Sequence, residues 1–163
     1  MAATILSHVK RAIGSGNRNA LFLRLKEECL RCRRTGEALS CITIDIDNLT
    51  DINDRFGHEI GDLVLKRVAS AVRQRLRITD HLFRSGGDEF VVVATDCNGA
   101  AAHEMAEELQ ALVSQLRLAS KQELVPTSIT TGISSLEGDE LKPDILLARS
   151  DADLRHARQN ANS

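Results

Sequence analysis

Two acidic residues stand at positions where they could hold a metal ion and act on a phosphate. Asp45 lies near the end of the apolar segment 39–46, and Asp88 follows the glycine pair 86–87. Carboxylates held close together repel each other unless a cation neutralises them. Mg²⁺ prefers oxygen ligands and leaves positions open for phosphate oxygens. The spacing is compatible with metal-assisted phosphoryl transfer on a nucleotide, or with a polar hairpin turn beside solvated acids.

Short segments rich in apolar and β-branched residues predict the strands that would position these acids. They are 39–46, 81–84, 90–95 and 127–134. The second and third of them are joined by a tight hairpin, in which Gly86 and Gly87 are predicted to supply positive φ angles. Their backbone, which carries no side chain, would also let a phosphate or a base approach closely.

Apolar residues at helical spacing predict helices around these strands. The segments are 19–34, 60–76, 99–118 and 143–158, with a short helix-like stretch after Asp47. The apolar stripe of 60–76 includes Leu63, and Pro143 suits the first turn of the last helix. The order predicts an α+β fold with a ferredoxin-like βαββαβ core, in which helices flank a central, mainly antiparallel sheet. The first strand would adjoin the hairpin, so that Asp45 and Asp88 converge.

The composition limits the classes of function. A chain of 163 residues with a net charge of −2 and only 2% aromatic residues predicts one domain that does not bind nucleic acid polymers. The sequence contains no run of 18 apolar residues, which a membrane span would need. We expect a cytoplasmic protein with free thiols. Cys29 and Cys32 have the spacing of a metal or redox pair, but a plain pair on one helix is the favoured interpretation.

The residues around both acids match two motifs of a known family. The segment 86–90 reads Gly-Gly-Asp-Glu-Phe. The segment 45–62 carries Asp-Ile-Asp, Asn-Asp, Phe-Gly-His and Gly-Asp at matching spacing, and 14–18 reads Gly-Ser-Gly-Asn-Arg. Over nearly its whole length the chain resembles the GGDEF, or diguanylate cyclase, family. The resemblance implies a nucleotidyl-cyclase-like GGDEF domain over 14–163, preceded by a helix or linker at 1–13.

This resemblance implies a reaction and its partners. Two GTP molecules, one on each domain of a homodimer, would condense into cyclic di-GMP with release of pyrophosphate, assisted by Mg²⁺ or Mn²⁺. An upstream sensor domain in the same chain, or a partner protein, would control the activity. The motif match also implies metal ligands, namely Asp45, Asp88 and the carbonyl group of Ile46. Either Asp88 or Glu89 would help to deprotonate the attacking ribose hydroxyl.

The match further implies substrate contacts and an inhibitory site. The implied substrate contacts are Asn53, His58, Asp62, Gly86, Gly87 and Arg158, with Asn53 and Asp62 on the guanine edge. Arg77 and Asp80 resemble the Arg-x-x-Asp site at which the product inhibits such enzymes. Taken alone, Asn53 could bond its own loop, Asp62 is an acid that a helix N-terminus favours, and His58 is a surface turn residue. Glu89 should point away from Asp88 on an extended strand.

Two positions depart from the family pattern on the phosphate side. Thr50 stands where the family usually has a lysine, and Asn162 where it has an arginine. Arg158 replaces the lysine that precedes that arginine by one helical turn. Loss of two positive charges weakens stabilisation of the transferring phosphates. The alternative to an active cyclase is therefore a degenerate GGDEF domain that binds GTP or cyclic di-GMP and regulates a partner.

Overall fold

A four-stranded antiparallel sheet forms the centre of the molecule in the computed structural model, which describes residues 17–163. The strands are β1 (Leu39–Ile46), β2 (His81–Arg84), β3 (Glu89–Thr95), β4 (Leu118–Ser120), β5 (Glu123–Val125) and β6 (Ile129–Leu136). The central sheet has the order β2-β3-β1-β6, and β4 and β5 form a separate hairpin. The predicted α+β fold, with the first strand between the hairpin and the last strand, is confirmed.

Helices cover both faces of this sheet. They are α1 (Asn17–Thr35), α2 (Leu49–Phe56), α3 (His58–Arg75), α4 (Gly99–Ser114) and α5 (Pro143–Ala161). Helices α2, α3 and α4 share one hydrophobic core with the sheet, and α1 and α5 share the other. None of the helices in the described part of the chain is long and apolar enough to cross a membrane.

Strand β1 lies between β3 and β6 in the sheet, and all eight of its residues are buried. Its isoleucines, such as Ile42 and Ile44, face the core beneath α3 and α4, whereas Leu39 faces the core beneath α1 and α5. Cys29 and Cys32 point into this second core, where burial raises the pKa of the Cys29 thiol to about 11. Both thiols are therefore protonated core residues at neutral pH.

Helix α5 crosses β6 at very short range. A Cβ atom on Gly132 would overlap the Ser150 carbonyl oxygen and the Leu154 amide nitrogen, and would lie 2.7 Å from the Leu154 Cα. A buried hydrogen bond of 2.8 Å between the Thr43 and Ser150 hydroxyl groups ties the same helix to β1. These contacts place the C-terminal turn of α5, which includes Arg158, near the end of β1.

The predicted boundaries of two elements were wrong. The helix predicted over 99–118 ends at Ser114, because Leu118 instead pairs with Val125 in the unpredicted β4–β5 hairpin and buries its side chain. The last strand runs two residues later than predicted over 127–134, since the Thr127 hydroxyl instead bonds the Val125 carbonyl group before the strand begins.

Two further predictions concern Leu63 on α3 and the N-terminal segment. Leu63 does not join the buried stripe of α3 but is 37% exposed, because Val64 and Val68 already fill the face that meets the core. The predicted helix or linker at 1–13 and the loop at 14–16 lie outside the described residues.

Candidate functional site

A cleft of about 630 Å³ opens where β1 and the β2–β3 hairpin end and where α2 begins. Asp45 and Asp88 both line it, as predicted from the strand order. Their approach follows from the register, in which the backbone N–H of Ile46 donates to the carbonyl oxygen of Asp88 at 3.1 Å. The other lining residues are Ile46, Asp47, Asn48, Leu49, Thr50, Asp51, Ser128, Thr130, Arg158, Ala161 and Asn162.

Of the four aspartates that line the cleft, only Asp45 is buried. Its side chain is only 1% exposed, and neither carboxylate oxygen receives a hydrogen bond. The Arg158 guanidinium lies against it as an ion pair. A buried carboxylate without hydrogen bonds is costly unless a cation compensates it. Arg158 compensates Asp45 in this structure, and the paired carboxylates of Asp45 and Asp88 also fit a divalent metal.

The Asp47 carboxylate, by contrast, has two hydrogen-bond donors. Its carboxylate accepts hydrogen bonds from the Ser128 hydroxyl at 2.7 Å and from the Thr130 hydroxyl at 2.6 Å. Among the described residues, no cluster of three or more acidic, His or Cys side chains is placed to hold a metal. The set of Asp45 and Asp88 fits Mg²⁺, which usually takes one or two carboxylates and fills its other positions with water and substrate phosphates.

The hairpin turn between β2 and β3 differs from the prediction at its glycines. Neither Gly86 nor Gly87 has a positive φ angle, because the turn is closed by the N–H groups of Ser85 and Gly86, which donate to the Glu89 carbonyl oxygen at 3.0 and 3.3 Å. Gly87 instead provides open space, since a Cβ atom there would meet nothing within 4 Å.

Arg84 is a residue of the hairpin that sequence reasoning missed. Its guanidinium donates to the carbonyl oxygens of Gly86 and Gly87, at 3.1 and 3.2 Å from Nε. The side chain thereby holds both glycine carbonyl groups toward β2. The only signal in the sequence is a basic residue two positions before the glycine pair, and such residues are common at strand ends.

Glu89 faces away from the cleft, as expected for the residue next to Asp88 on a strand. Its carboxylate accepts a hydrogen bond from the Ser85 hydroxyl at 3.3 Å and shares a smaller pocket with Arg18 and Asp151. Burial, followed by the nearby Asp151 carboxylate, raises the pKa of Glu89 above its ordinary value. Glu89 is therefore a stronger proton acceptor than a solvated glutamate.

Three predicted substrate contacts lie along α2 and α3, outside the lining of the cleft. Asn53 is on α2, and its side chain lies over Gly61 on α3, where a Cβ atom would be 2.8 Å from the Asn53 Cγ. The two helices meet at Gly57, whose φ angle of 93° reverses the chain between them. His58 and Asp62 are exposed on the first turns of α3. Asn53 thus lies against the residue that precedes Asp62 in the chain.

Arg77 and Asp80 form an ion pair at the end of the sheet that lies opposite the cleft. The Asp80 carboxylate accepts from the Arg77 backbone N–H at 2.9 Å and from Nη2 at 3.2 Å, and Arg77 also donates to the Thr95 carbonyl group. Arg77 lines a pocket with Arg31 and His81. Burial and then the Arg24 guanidinium lower the pKa of His81, so this imidazole is neutral at pH 7.

The family model described as "Diguanylate cyclase, GGDEF domain" matches residues 14–163. The chain belongs to the GGDEF family. It is 37% identical to the diguanylate cyclase DgcP of Pseudomonas aeruginosa over 146 residues, which are 90% of this chain and 22% of DgcP. It is 34% identical to the response regulator PleD of Caulobacter vibrioides over 152 residues, which are 92% of this chain and 34% of PleD. The GGDEF chain thus spans only a part of these longer relatives.

Solved GGDEF domains have the same fold. The GGDEF domain of PA1120 (YfiN or TpbB) from Pseudomonas aeruginosa is 35% identical, with a TM-score of 0.82 over 88% of this chain and 90% of that one. The active GGEEF domain of a diguanylate cyclase from Vibrio cholerae is 31% identical, with a TM-score of 0.81 over 88% and 91% of the two chains.

Proposed function

We propose that this GGDEF domain is a diguanylate cyclase, which converts two GTP molecules into cyclic di-GMP and two pyrophosphates across a homodimer in the cytoplasm. The observation that carries the proposal is the Asp45 carboxylate, which is buried beside Asp88 and accepts no hydrogen bond. Such a group needs a cation beside it, which is Arg158 in this structure and would be the metal in the proposed reaction. The cleft around it is large enough for the phosphates of a nucleotide.

Each predicted residue has a role in this proposal. Mg²⁺ or Mn²⁺, held by Asp45, Asp88 and the Ile46 carbonyl group, would polarise the phosphates and neutralise their charge. Asn53 and Asp62 bind the guanine edge, and His58 is a further contact on the same helix pair. The open face of the Gly86–Gly87 turn receives the nucleotide. Arg158 binds the phosphates, for which its guanidinium group is well suited.

The proton of the attacking ribose hydroxyl needs an acceptor, and two residues compete for this role. Asp88 lines the cleft, whereas Glu89 has the raised pKa that suits a general base. Either assignment places the base on the hairpin.

The direct test is to incubate the chain with GTP and Mg²⁺ and to separate the products by chromatography. Cyclic di-GMP together with pyrophosphate is the expected result. Formation should rise faster than linearly with protein concentration, because each homodimer unites two half-sites. Retained GTP binding without any product at high protein concentration would exclude the cyclase and favour the second candidate.

That second candidate is a receptor domain that binds GTP or cyclic di-GMP without turnover. It is favoured by Thr50 and Asn162, which line the cleft without carrying charge. Arg158 is the only Lys or Arg among the described residues that line this cleft, against four aspartates. An electrostatic deficit of this size lowers the stabilisation of a transferring phosphate.

Thr50→Lys is expected to raise kcat by about 10-fold, because it returns one positive charge to the phosphate side of the cleft. Steady-state pyrophosphate release measures the change. Thr35→Lys adds the same charge at the exposed end of α1 and should leave kcat within about 2-fold of the parent chain. Equal rates in both variants would show that charge at position 50 does not limit the reaction.

Product inhibition at Arg77 and Asp80 is also part of the proposal. Arg77→Ala is expected to raise the inhibition constant for cyclic di-GMP by about 10-fold or more, since a bidentate guanidinium contact is lost. Progress curves with added cyclic di-GMP measure it. Arg67→Ala, an exposed change on the preceding helix α3, serves as the control. An unchanged inhibition constant in Arg77→Ala would rule out this site.

We infer that a further domain or protein controls the activity. Support comes from diguanylate cyclase SiaD of Pseudomonas aeruginosa, which was solved in complex with its activator SiaC; it is 26% identical to this chain, with a TM-score of 0.83 over 98% of this chain and 64% of SiaD. Mass measurement of the full-length protein, with and without candidate partners, tests this inference.

A further inference from the structure

Arg158 has two anionic partners in the proposed active site, and only one of them belongs to the protein. In the structure its guanidinium forms an ion pair with Asp45. The other partner, the triphosphate of GTP, arrives with the substrate. Asp45 is fixed within β1 and is 1% exposed, whereas the Arg158 side chain is 46% exposed near the end of α5. Arg158 is therefore the partner that can move.

The surrounding charges explain why Asp45 needs this partner. The described lining of the cleft carries four aspartates and one basic residue, Arg158. Asp47 has two hydroxyl donors, from Ser128 and Thr130, but the Asp45 oxygens have none. Without a cation, Asp45 would be a buried and unpaired charge, which is strongly unfavourable.

We propose that Arg158 is the resident counter-cation of Asp45, which competes with a divalent metal for this carboxylate and moves to the phosphates when metal and nucleotide bind together. This inference rests on the proposed function, since it takes Asp45 as a metal ligand. The metal alone then binds weakly, because it must displace the guanidinium. GTP relieves the competition by giving Arg158 another anion, so metal and nucleotide bind cooperatively.

Calorimetric titration of the full chain with Mn²⁺, without nucleotide, tests the competition. Arg158→Gln is expected to bind Mn²⁺ about 3- to 10-fold more tightly than the parent chain, because the competing charge is gone. The same variant should bind GTP more weakly, since a phosphate contact is lost. A residue that only binds phosphate would lower GTP affinity and leave Mn²⁺ affinity unchanged.

Two matched variants complete the test. Arg158→Lys keeps the charge and should stay within about 2-fold of the parent affinity for Mn²⁺. Arg155→Gln removes an exposed arginine of the same helix that does not line the cleft, and should not change it. Thermal unfolding with and without Mn²⁺ provides a second readout: Mn²⁺ should raise the midpoint of Arg158→Gln more than that of the parent.

Failure of the inference and failure of the proposed function are distinguishable in these titrations. Equal Mn²⁺ affinity of the parent and Arg158→Gln overturns the competition, while loss of Mn²⁺ binding in Asp45→Asn still supports the metal site. Unchanged Mn²⁺ affinity in Asp45→Asn would overturn the metal assignment itself, and with it the basis of both proposals.

Discussion

Asp45→Asn is expected to lower the rate of cyclic di-GMP formation by about 10³-fold. In the proposed cyclase, the substitution removes a ligand charge that would hold the divalent ion, whose stabilisation of phosphate charge amounts to several kcal/mol. Stability of the metal-free protein should change little or rise, because asparagine removes a buried charge and its partner Arg158, which is 46% exposed, can then be solvated. Loss of activity without loss of stability distinguishes a functional residue from a structural one.

Initial rates at saturating Mg²⁺, together with urea unfolding, measure both quantities. Asp51→Asn is the matched control, since Asp51 lines the same cleft but is exposed at the start of α2. It makes the same change of charge and should alter the rate by less than about 3-fold. If both variants lose activity equally, general charge in the cleft matters and Asp45 has no special role.

Gly132→Ala is expected to destabilise the fold by about 3 kcal/mol, which is the largest stability effect that we predict. The added methyl group would overlap the backbone of α5 at Ser150 and Leu154. Backbone atoms in a helix cannot rotate away as a flexible side chain can, so α5 must shift from the sheet. For a chain of this size the midpoint of thermal unfolding should fall by about 6 to 12 °C.

A shift of α5 would also displace Arg158 at its far end, so we expect weaker GTP binding in the molecules that remain folded. Gly99→Ala is the control for this prediction. A Cβ atom on Gly99 would lie 3.9 Å from the Ser135 Cβ, which is an ordinary contact, and alanine suits a helix better than glycine. A normal unfolding midpoint for Gly132→Ala would mean that α5 and β6 are less closely packed than the structure indicates.

Local patterns in the sequence predicted much of the fold. The bounds of β1 were predicted correctly at 39–46, because a fully buried strand is a continuous apolar run. Pro143 correctly marked the start of α5. The end of α4 was wrong because residues 115–118 keep an apolar spacing compatible with a helix, and only the pairing of Leu118 with Val125 turns them into a strand.

Some features of the candidate site were predicted from the sequence, and others depend on the fold. Asp45, Asp88 and their meeting at one cleft followed from strand order and motif spacing. Asp45 and Asp47 are chemically equivalent in the sequence, yet they meet different partners in the fold. Ser128 and Thr130, more than 80 positions away, bond Asp47, whereas the Arg158 guanidinium pairs with Asp45.

By itself the sequence determined the family, the order of the elements and the candidate residues for chemistry, because these depend on residue type and local spacing. The tertiary structure alone decided which partner each of them meets. Packing brings together the atoms of three such contacts. They are the ion pair of Arg158 with Asp45, the hydrogen bonds of Arg84 to the hairpin and the close approach of Gly132 to α5. Spacing along the chain carries no information on these distances, since register and helix position are settled only when the whole core is packed.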